Sequence, residues 1–148
     1  MRKQVQIPVE ICREGVALPA YAREGDAGMD VRAAVSAEIP PLSTAVIPTG
    51  LKVAIPEGYE LQVRPRSGLS LKTPLRIPNA PGTIDSGFRD EIGIIVTNTS
   101  AQAPFTVNRG DRIAQLVLQE VPMICFQQVS SVAEIGSDRG GGFGSTGL

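Results

Sequence analysis

Apolar residues recur along the chain in short runs where they alternate with polar residues or proline. Such alternation places every second side chain on one face, which is typical of a half-buried β-strand. The first run contains Val5, Ile7, Val9 and Ile11. The other runs cover residues 46–47, 51–55, 59–63, 92–96 and 113–118. Turn signals separate them, at residues 40–41, 48–50, 56–58, 81–82 and 108–111.

Many short strands at regular spacing predict an all-β sandwich or barrel. The sequence contains no convincing amphipathic helix longer than one or two turns, and residues 67–72 are the best place for a short helical turn. The apolar periodicity ends near Ser130, and a glycine-rich tail follows from Arg139. Glycine is costly to order without a partner. We therefore predict a β domain over residues 1–136 and a C-terminal arm over residues 137–148.

Composition narrows the possible chemistry. The chain has 148 residues and no histidine, which excludes a Ser-His-Asp triad, a Cys-His pair and most zinc sites. Acid–base chemistry must then depend on carboxylates, or on Lys, Tyr or Cys. The net charge of −1 provides no electrostatic footprint for nucleic acid or an anionic membrane, so neither is an expected partner.

The two cysteines, Cys12 and Cys125, each lie in an apolar, strand-like run. This setting predicts buried free thiols in a reducing compartment. The first residues carry positive charge but no apolar core of a signal peptide, and no apolar run is long enough to span a membrane. We expect a cytoplasmic protein.

The glycine-rich tail is the first candidate for chemistry. Its Gly, Ser and Thr residues leave backbone N–H groups free to face an anion, and Arg139 adds a guanidinium fork suited to phosphate. Phe143 has no apolar neighbours in the surrounding glycine run, so we expect its ring to stack on a flat group such as a nucleobase. The alternative is a mobile terminus. A P-loop is excluded because the tail has neither Lys nor a following helix.

Two internal segments are further candidates. After a predicted strand, Arg66 could clamp a phosphate and Ser67 could donate to a bridging oxygen. The alternative is a solvated turn in which Ser67 caps a helix. Residues 79–92 are predicted to form a hairpin whose turn holds Asp85, with Asn79 offering a donor and an acceptor to a uracil edge. Asp85 could equally be an ordinary turn residue.

Two more segments are weaker when taken alone. Asp30 supplies a carboxylate after the turn at residues 26–28, and residues 109–116 open a strand with charges in its turn. We expect Asp111 and Arg112 to pair with each other.

Together these five segments resemble, in order and spacing, the five motifs of the trimeric dUTP pyrophosphatase (dUTPase) family. The matching stretches are residues 27–30, 65–69, 82–89, 110–116 and 142–147. They extend over almost the whole chain, and five motifs in order are far more specific than any one of them.

The resemblance implies a jelly-roll-like β domain that forms a homotrimer and hydrolyses dUTP to dUMP and pyrophosphate. Such a reaction supplies dUMP for thymidylate synthesis and keeps uracil out of DNA. Each site would combine motifs from neighbouring subunits, with the arm arriving from another subunit. Mg²⁺ would bind the triphosphate, with Asp30 contacting it through water and no direct protein ligand.

The resemblance also implies residue roles. Asp85 would hold and deprotonate the water that attacks the α-phosphorus. Phe88 would pack on the deoxyribose and leave no room for a 2′-hydroxyl. Further substrate contacts are implied for the following residues: Arg66, Ser67, Gly68, Asn79, Gly82, Thr83, Ile84, Gln115, Arg139, Phe143, Gly144 and Ser145.

The sequence departs from the family pattern at two points. Phe88 replaces the more usual Tyr, and its ring face is expected to serve equally well. The arm has one residue fewer than usual between Arg139 and Phe143, so Arg139 would reach either the terminal phosphate or another phosphate oxygen. Two rival functions remain: a dCTP deaminase of the same fold, which needs a carboxylate on the strand after residue 91, and a non-enzymatic jelly-roll binding module.

Overall fold

The computed structural model describes residues 1–147, and Leu148, the last residue of the expected arm, lies outside the described residues. Eleven strands and one short helix follow one another along residues 1–147. Their bounds are β1 Val9–Ile11, β2 Met29–Arg32, β3 Ala37–Ile39, β4 Thr44–Pro48, β5 Leu51–Val53, β6 Tyr59–Arg64, α1 Ser67–Lys72, β7 Leu75–Arg76, β8 Gly82–Ile84, β9 Gly93–Asn98, β10 Phe105–Val107 and β11 Arg112–Glu120.

The strands form small antiparallel sheets. The largest has the order β2-β11-β6-β8, and a second has the order β4-β9-β7. The pairs β1-β5 and β10-β3 complete the set among the described residues. This arrangement confirms the predicted all-β, jelly-roll-like class.

The core lies between the sheets, where alternate side chains of each strand are buried. Ile39, Ile94 and Val96 have no exposed surface, and Ile47 and Ile113 have about 1%. Val63 and Ile84 extend this core under the neighbouring strands β6 and β8. Removal of these side chains from water is the main favourable term in folding, and it holds β6 and β8 in place.

Most predicted strands are confirmed, because runs with strong alternation became β4, β5, β6, β9 and β11. The predicted helical turn is α1. Arg66 is its N-cap residue and makes no side-chain capping bond, so Ser67 begins the helix rather than capping it.

The predicted hairpin over residues 79–92 is wrong. β8 pairs with β6, whereas β9 pairs with β4 and β7, so the two strands lie in different sheets. The segment between them, residues 85–92, therefore crosses from one sheet to the other. Partners distant in sequence, rather than the local turn, decide which sheet each strand joins.

The prediction of a buried strand around Cys125 is also wrong. β11 ends at Glu120, and residues 121–147 form no strand or helix. Met123 and Phe126 are about 90% exposed, and Cys125 is exposed as well. Cys12, which follows β1, is half-buried. Within residues 1–147, the apolar run at Cys125 therefore packs on no sheet.

Residues 121–147 are exposed except for half-buried Gly142. The division at residue 136 stays a prediction, although the packed core already ends with β11. No helix of the described chain combines the length and apolar character needed to cross a bilayer.

Candidate active site

Four of the five sequence segments meet on the largest sheet. Asp30 of β2 lies opposite Gln115 of β11, and Gln115 in turn lies opposite Arg64 of β6. Arg66 and Ser67 follow directly after β6, while Thr83 of β8 lies opposite Gln62 on the other side of β6. Strand order thus brings together residues that are far apart in sequence.

Asp30 is the centre of an ion cluster. Arg66 donates from Nε to Oδ1 of Asp30 at 2.8 Å, and Nη1 of Arg112 lies 3.4 Å from Oδ2. The side chains of Asp30 and Arg66 are 30% and 24% exposed, so both are partly withdrawn from water. The expected pair of Asp111 with Arg112 is wrong, because the Asp111 carboxylate accepts the backbone N–H of Asn108 instead.

Gln115 links three of the segments. Its Nε2 donates to the carbonyl of Pro65 at 2.9 Å. Its side chain also lies against Gly28, where an added Cβ would overlap Oε1 and come within 3.2 Å of Cδ. Glycine in the first segment thus leaves room for the Gln115 side chain, which a larger residue would force to shift.

A cavity of about 160 Å³ lies between β6, β8 and β9. Its lining includes Asn79, Gly82, Thr83, Ile84 and Phe88. Pockets that bury a whole drug-sized ligand have about 300–1,000 Å³. This cavity therefore has room for only part of a nucleotide, such as a base and its sugar.

Close packing shapes this cavity at Gly82. A Cβ there would lie 3.2 Å from Cβ of Val63 and 3.3 Å from Nδ2 of Asn79. Glycine thus lets the Asn79 amide approach the backbone of β8. Phe88 at the cavity wall is 39% exposed, so one side of its ring remains open to a ligand.

Asp85 comes immediately after β8, at the start of the crossing segment. A tight turn follows, in which Phe88 donates its backbone N–H to the Asp85 carbonyl at 3.1 Å. The Asp85 side chain is exposed and makes no hydrogen bond or ion pair with the described residues. Its carboxylate is thus available to hold a water molecule.

The cavity and the arginine cluster are separate regions of one chain. A second, more open cavity of about 410 Å³ is lined by Arg32, Arg66 and Arg112. No described residue lines both cavities.

Residues 137–147 of the arm line neither cavity of their own chain. Arg139, Phe143, Gly144 and Ser145 are all exposed. The last turn is held from within, since Ser145 donates its backbone N–H to the Gly142 carbonyl and accepts the Gly142 N–H on Oγ. The arm is thus a preformed turn without a partner surface among residues 1–147.

Sequence reasoning missed an ion pair beside the site. Glu91, at the end of the crossing segment, accepts hydrogen bonds from Arg13 and from the backbone of Gly50. Arg13 lies outside all five segments, and no sequence pattern connects it with Glu91. Within residues 1–147, no group of three or more Cys, Asp and Glu side chains is arranged to hold a metal ion.

Comparison with known proteins gives concordant matches. A family model described as dUTPase matches residues 14–147. The chain is 49% identical over 148 residues to a deoxyuridine 5′-triphosphate nucleotidohydrolase of Fusobacterium nucleatum subsp. nucleatum, covering 98% of this chain and 99% of the relative.

Two solved structures are also similar. A mutant of the Staphylococcus bacteriophage 80alpha dUTPase with dUpNHpp has a TM-score of 0.87 and 29% identity, covering 98% of this chain and 100% of that one. A mutant dUTPase from phage phi11 of S. aureus, described with a coordinated structural Mg(II) ion, has a TM-score of 0.79 and 30% identity. That match covers 86% of this chain and 98% of the phage protein.

Proposed function

The chain belongs to the dUTPase family, and we propose that it hydrolyses dUTP to dUMP and pyrophosphate. The observation that carries the proposal is the cavity lined by Asn79, β8 and Phe88, together with the exposed carboxylate of Asp85, the residue that directly follows the lining residue Ile84. A base-and-sugar pocket beside an available carboxylate suits attack by water on the adjoining phosphate.

Base and sugar selection would come from this cavity. Asn79 and the backbone of Gly82, Thr83 and Ile84 would pair with the uracil edge, since an amide side chain and backbone groups offer both donors and acceptors. Phe88 would lie against the deoxyribose. A ribose would press its 2′-hydroxyl against an apolar ring, and that hydroxyl would lack a partner.

Asp85 would orient and deprotonate the attacking water. An ordinary aspartate has a pKa of about 3.9, which makes it a weak base. Much of its effect would therefore come from holding the water in line with the α-phosphorus. The oxygen of the water would bond to phosphorus as the bond to the pyrophosphate oxygen breaks, and the proton would pass towards Asp85.

The phosphates would bind at the arginine cluster. Arg66 presents a fixed guanidinium fork suited to phosphate oxygens, and Ser67, Gly68 and Gln115 would add further donors. Arg66 is already oriented by its bond to Asp30. This pairing supports the assignment, because a guanidinium held in place loses less rotamer entropy when it binds an anion.

A single carboxylate at Asp30 fits an outer-sphere contact to Mg²⁺ better than direct coordination. A carboxylate has about four lone-pair sites, and two arginines already approach the oxygens of Asp30. Bound to the triphosphate, Mg²⁺ would neutralise part of its charge. Asp30 would contact the water shell of that ion.

The site would be completed across subunits of a homotrimer. This arrangement is supported by the arm, because its residues 137–147 line neither cavity of their own chain. The arm would close from another subunit, with Phe143 stacked on the base and Arg139, Gly144 and Ser145 at the phosphates. The reaction would take place in the cytoplasm, supplying dUMP for thymidylate synthesis and keeping uracil out of DNA.

Co-expression of two inactive variants tests the shared site. Asp85→Asn supplies an intact arm, and a chain that ends at Asp138 supplies an intact Asp85. With equal amounts and random assembly, one half times one half of the sites, about a quarter, would combine both. Activity near a quarter of wild type supports sharing, whereas activity no higher than that of either variant alone contradicts it.

The deaminase alternative lacks a suitable group. β9 (Gly93–Asn98) carries no carboxylate, and the carboxylate of Glu91 before it is held by Arg13 and Gly50. Pyrophosphate release from dUTP, measured beside dCTP, separates the functions. We expect pyrophosphate from dUTP alone. Ammonia from dCTP would favour the deaminase, and no turnover of either would favour a binding module.

A further inference from the structure

The crossing segment that carries Asp85 and Phe88 has few bonds to the rest of the chain. Within it, Phe88 bonds to the Asp85 carbonyl, and Arg89 donates to the carbonyls of Ser86 and Phe88. No described hydrogen bond of residues 86–90 leaves the segment. The position of the segment therefore depends on its two ends, β8 at the start and residues 91–92 at the finish.

The finishing end is anchored by a carboxylate. Glu91 receives Nε of Arg13 at 2.6 Å on Oε1 and Nη2 at 2.9 Å on Oε2, a two-bond fork. Its Oε1 also accepts the backbone N–H of Gly50 at 2.8 Å. Such charge-assisted, bidentate pairs are the strong and directional members of their class. Arg13 also lowers the pKa of the Glu91 carboxyl, which keeps the pair ionised.

The next residue, Ile92, is buried in the core and also fixes this end of the segment. Its side chain is 1% exposed, and its N–H donates to the carbonyl of Leu51 at 2.8 Å. Its carbonyl accepts both the N–H and the hydroxyl of Thr49, at 3.1 and 2.7 Å. The end of the segment is thus hydrogen-bonded to the turn between β4 and β5 and to the first residue of β5.

Arg13 is placed by the same turn. Cys12 donates its N–H to the Gly50 carbonyl at 2.8 Å. Gly50 has φ of +74°, and a Cβ there would lie 2.6 Å from Cγ2 of Val16 and 3.2 Å from Cβ of Arg13. Only glycine lets the N-terminal segment lie this close, so Arg13 reaches Glu91 from a well-packed backbone.

We propose that Glu91, held by Arg13, is a positioning residue that fixes Asp85 and Phe88 for dUTP hydrolysis. The inference rests on the proposed function and extends it to two residues that bind no substrate themselves. Displacement of a reacting group by about 1 Å can cost about 10²-fold in rate. Loss of the anchor should therefore lower kcat and sugar discrimination together. Binding of the triphosphate at Arg66 should change little.

The test compares Glu91→Gln, Arg13→Gln and Arg13→Lys with a matched control. Glu120→Gln removes a carboxylate that pairs with Lys3 at the far end of β11, by the same chemical change. We expect kcat for dUTP to fall by roughly 10–100-fold in Glu91→Gln and Arg13→Gln. The dUTP/UTP ratio of kcat/KM should fall as well. Arg13→Lys should recover part of both losses, and Glu120→Gln should match wild type.

Amide hydrogen exchange of residues 86–90 gives a readout independent of activity. Exchange should be faster in Arg13→Gln than in wild type and Glu120→Gln. Variants that lose melting temperature but keep the wild-type kcat, dUTP/UTP ratio and exchange rate would overturn the inference. If Glu91→Gln does not fold, the Arg13→Gln variant provides the test. In that variant Glu91 keeps its hydrogen bond to Gly50, so we expect the chain to fold. A wild-type protein without dUTP hydrolysis refutes the proposed function alone, and exchange then decides the positioning role.

Discussion

Gly28→Ala should damage phosphate binding without any contact between the new methyl group and substrate. The new Cβ would overlap Oε1 of Gln115 and lie 3.2 Å from Cδ. Non-bonded atoms prefer about 3.5–4.0 Å, so the terminal amide must move by on the order of 1 Å. We expect this movement to carry Nε2 with it and to lengthen the 2.9 Å bond from Gln115 to the Pro65 carbonyl beyond hydrogen-bond range.

The expected loss of stability in Gly28→Ala is small, whereas the expected loss of activity is large. Loss of one ordinary hydrogen bond costs about 0.5–1.5 kcal/mol of unfolding free energy, so the variant should fold with a modestly lower melting temperature. If Gln115 binds phosphate as proposed, its displacement by about 1 Å should lower kcat/KM for dUTP by roughly 10–100-fold. Gly28 has no positive φ, so alanine adds no backbone strain that would confuse the two effects.

A double-mutant cycle with Gln115→Ala tests this reasoning. If Gly28→Ala acts by displacing Gln115, then it should cost little more once that side chain is absent. Steady-state hydrolysis of dUTP by both single variants and the double variant measures the coupling. Additive losses, or a Gly28→Ala variant with wild-type kcat/KM, would refute the role of Gly28 as the space for Gln115.

Three further changes test the assigned roles. Asp85→Asn should still bind dUTP while kcat falls by ~10²–10⁴-fold, and near-normal turnover would assign water activation elsewhere. A chain ending at Asp138 should keep the melting temperature of the ligand-free protein but lose most activity, and Phe143→Ala should weaken binding of a dUTP analogue by ~1–3 kcal/mol. Unfolding or full activity of the truncated chain would exclude a lid. Phe88→Ala should narrow the dUTP/UTP ratio in kcat/KM, and an unchanged ratio would mean that another group reads the sugar.

Alternation of apolar residues predicted the strands that bury one face over several positions. β6 and β9 each extend over six residues, and burial alternates along residues 61–64 of β6 and along all of β9, so their pattern is strong. β7 has two residues, and β3 and β10 have three each. None of these three strands lies in a run marked by alternation, and each is defined by the strand with which it pairs.

The motifs predicted which residues form the candidate site but not how those residues are arranged in space. The sequence identified Asp30, Arg66 and Gln115 as candidates, yet their contacts depend on the order of β2, β11 and β6 in one sheet. The same dependence on distant partners made the hairpin prediction wrong. Pairing of Arg13 with Glu91 joins residues 78 positions apart, which local patterns do not encode.

Cys125 illustrates a different limit. Its run of Met123, Ile124 and Phe126 has the apolar character of a buried strand, but the structure leaves these side chains exposed. Apolar character indicates that a segment favours burial and does not say which surface buries it.

Hydrolysis of dUTP in ¹⁸O-labelled water tests the central claim most directly. If Asp85 directs water to the α-phosphorus, the label should appear in the phosphate of dUMP, and pyrophosphate should be unlabelled. Mass spectrometry of both products distinguishes the two positions, and Asp85→Asn should form labelled dUMP at least ~10²-fold more slowly. Label in pyrophosphate, or absence of dUMP, would contradict water attack at the α-phosphorus by this site.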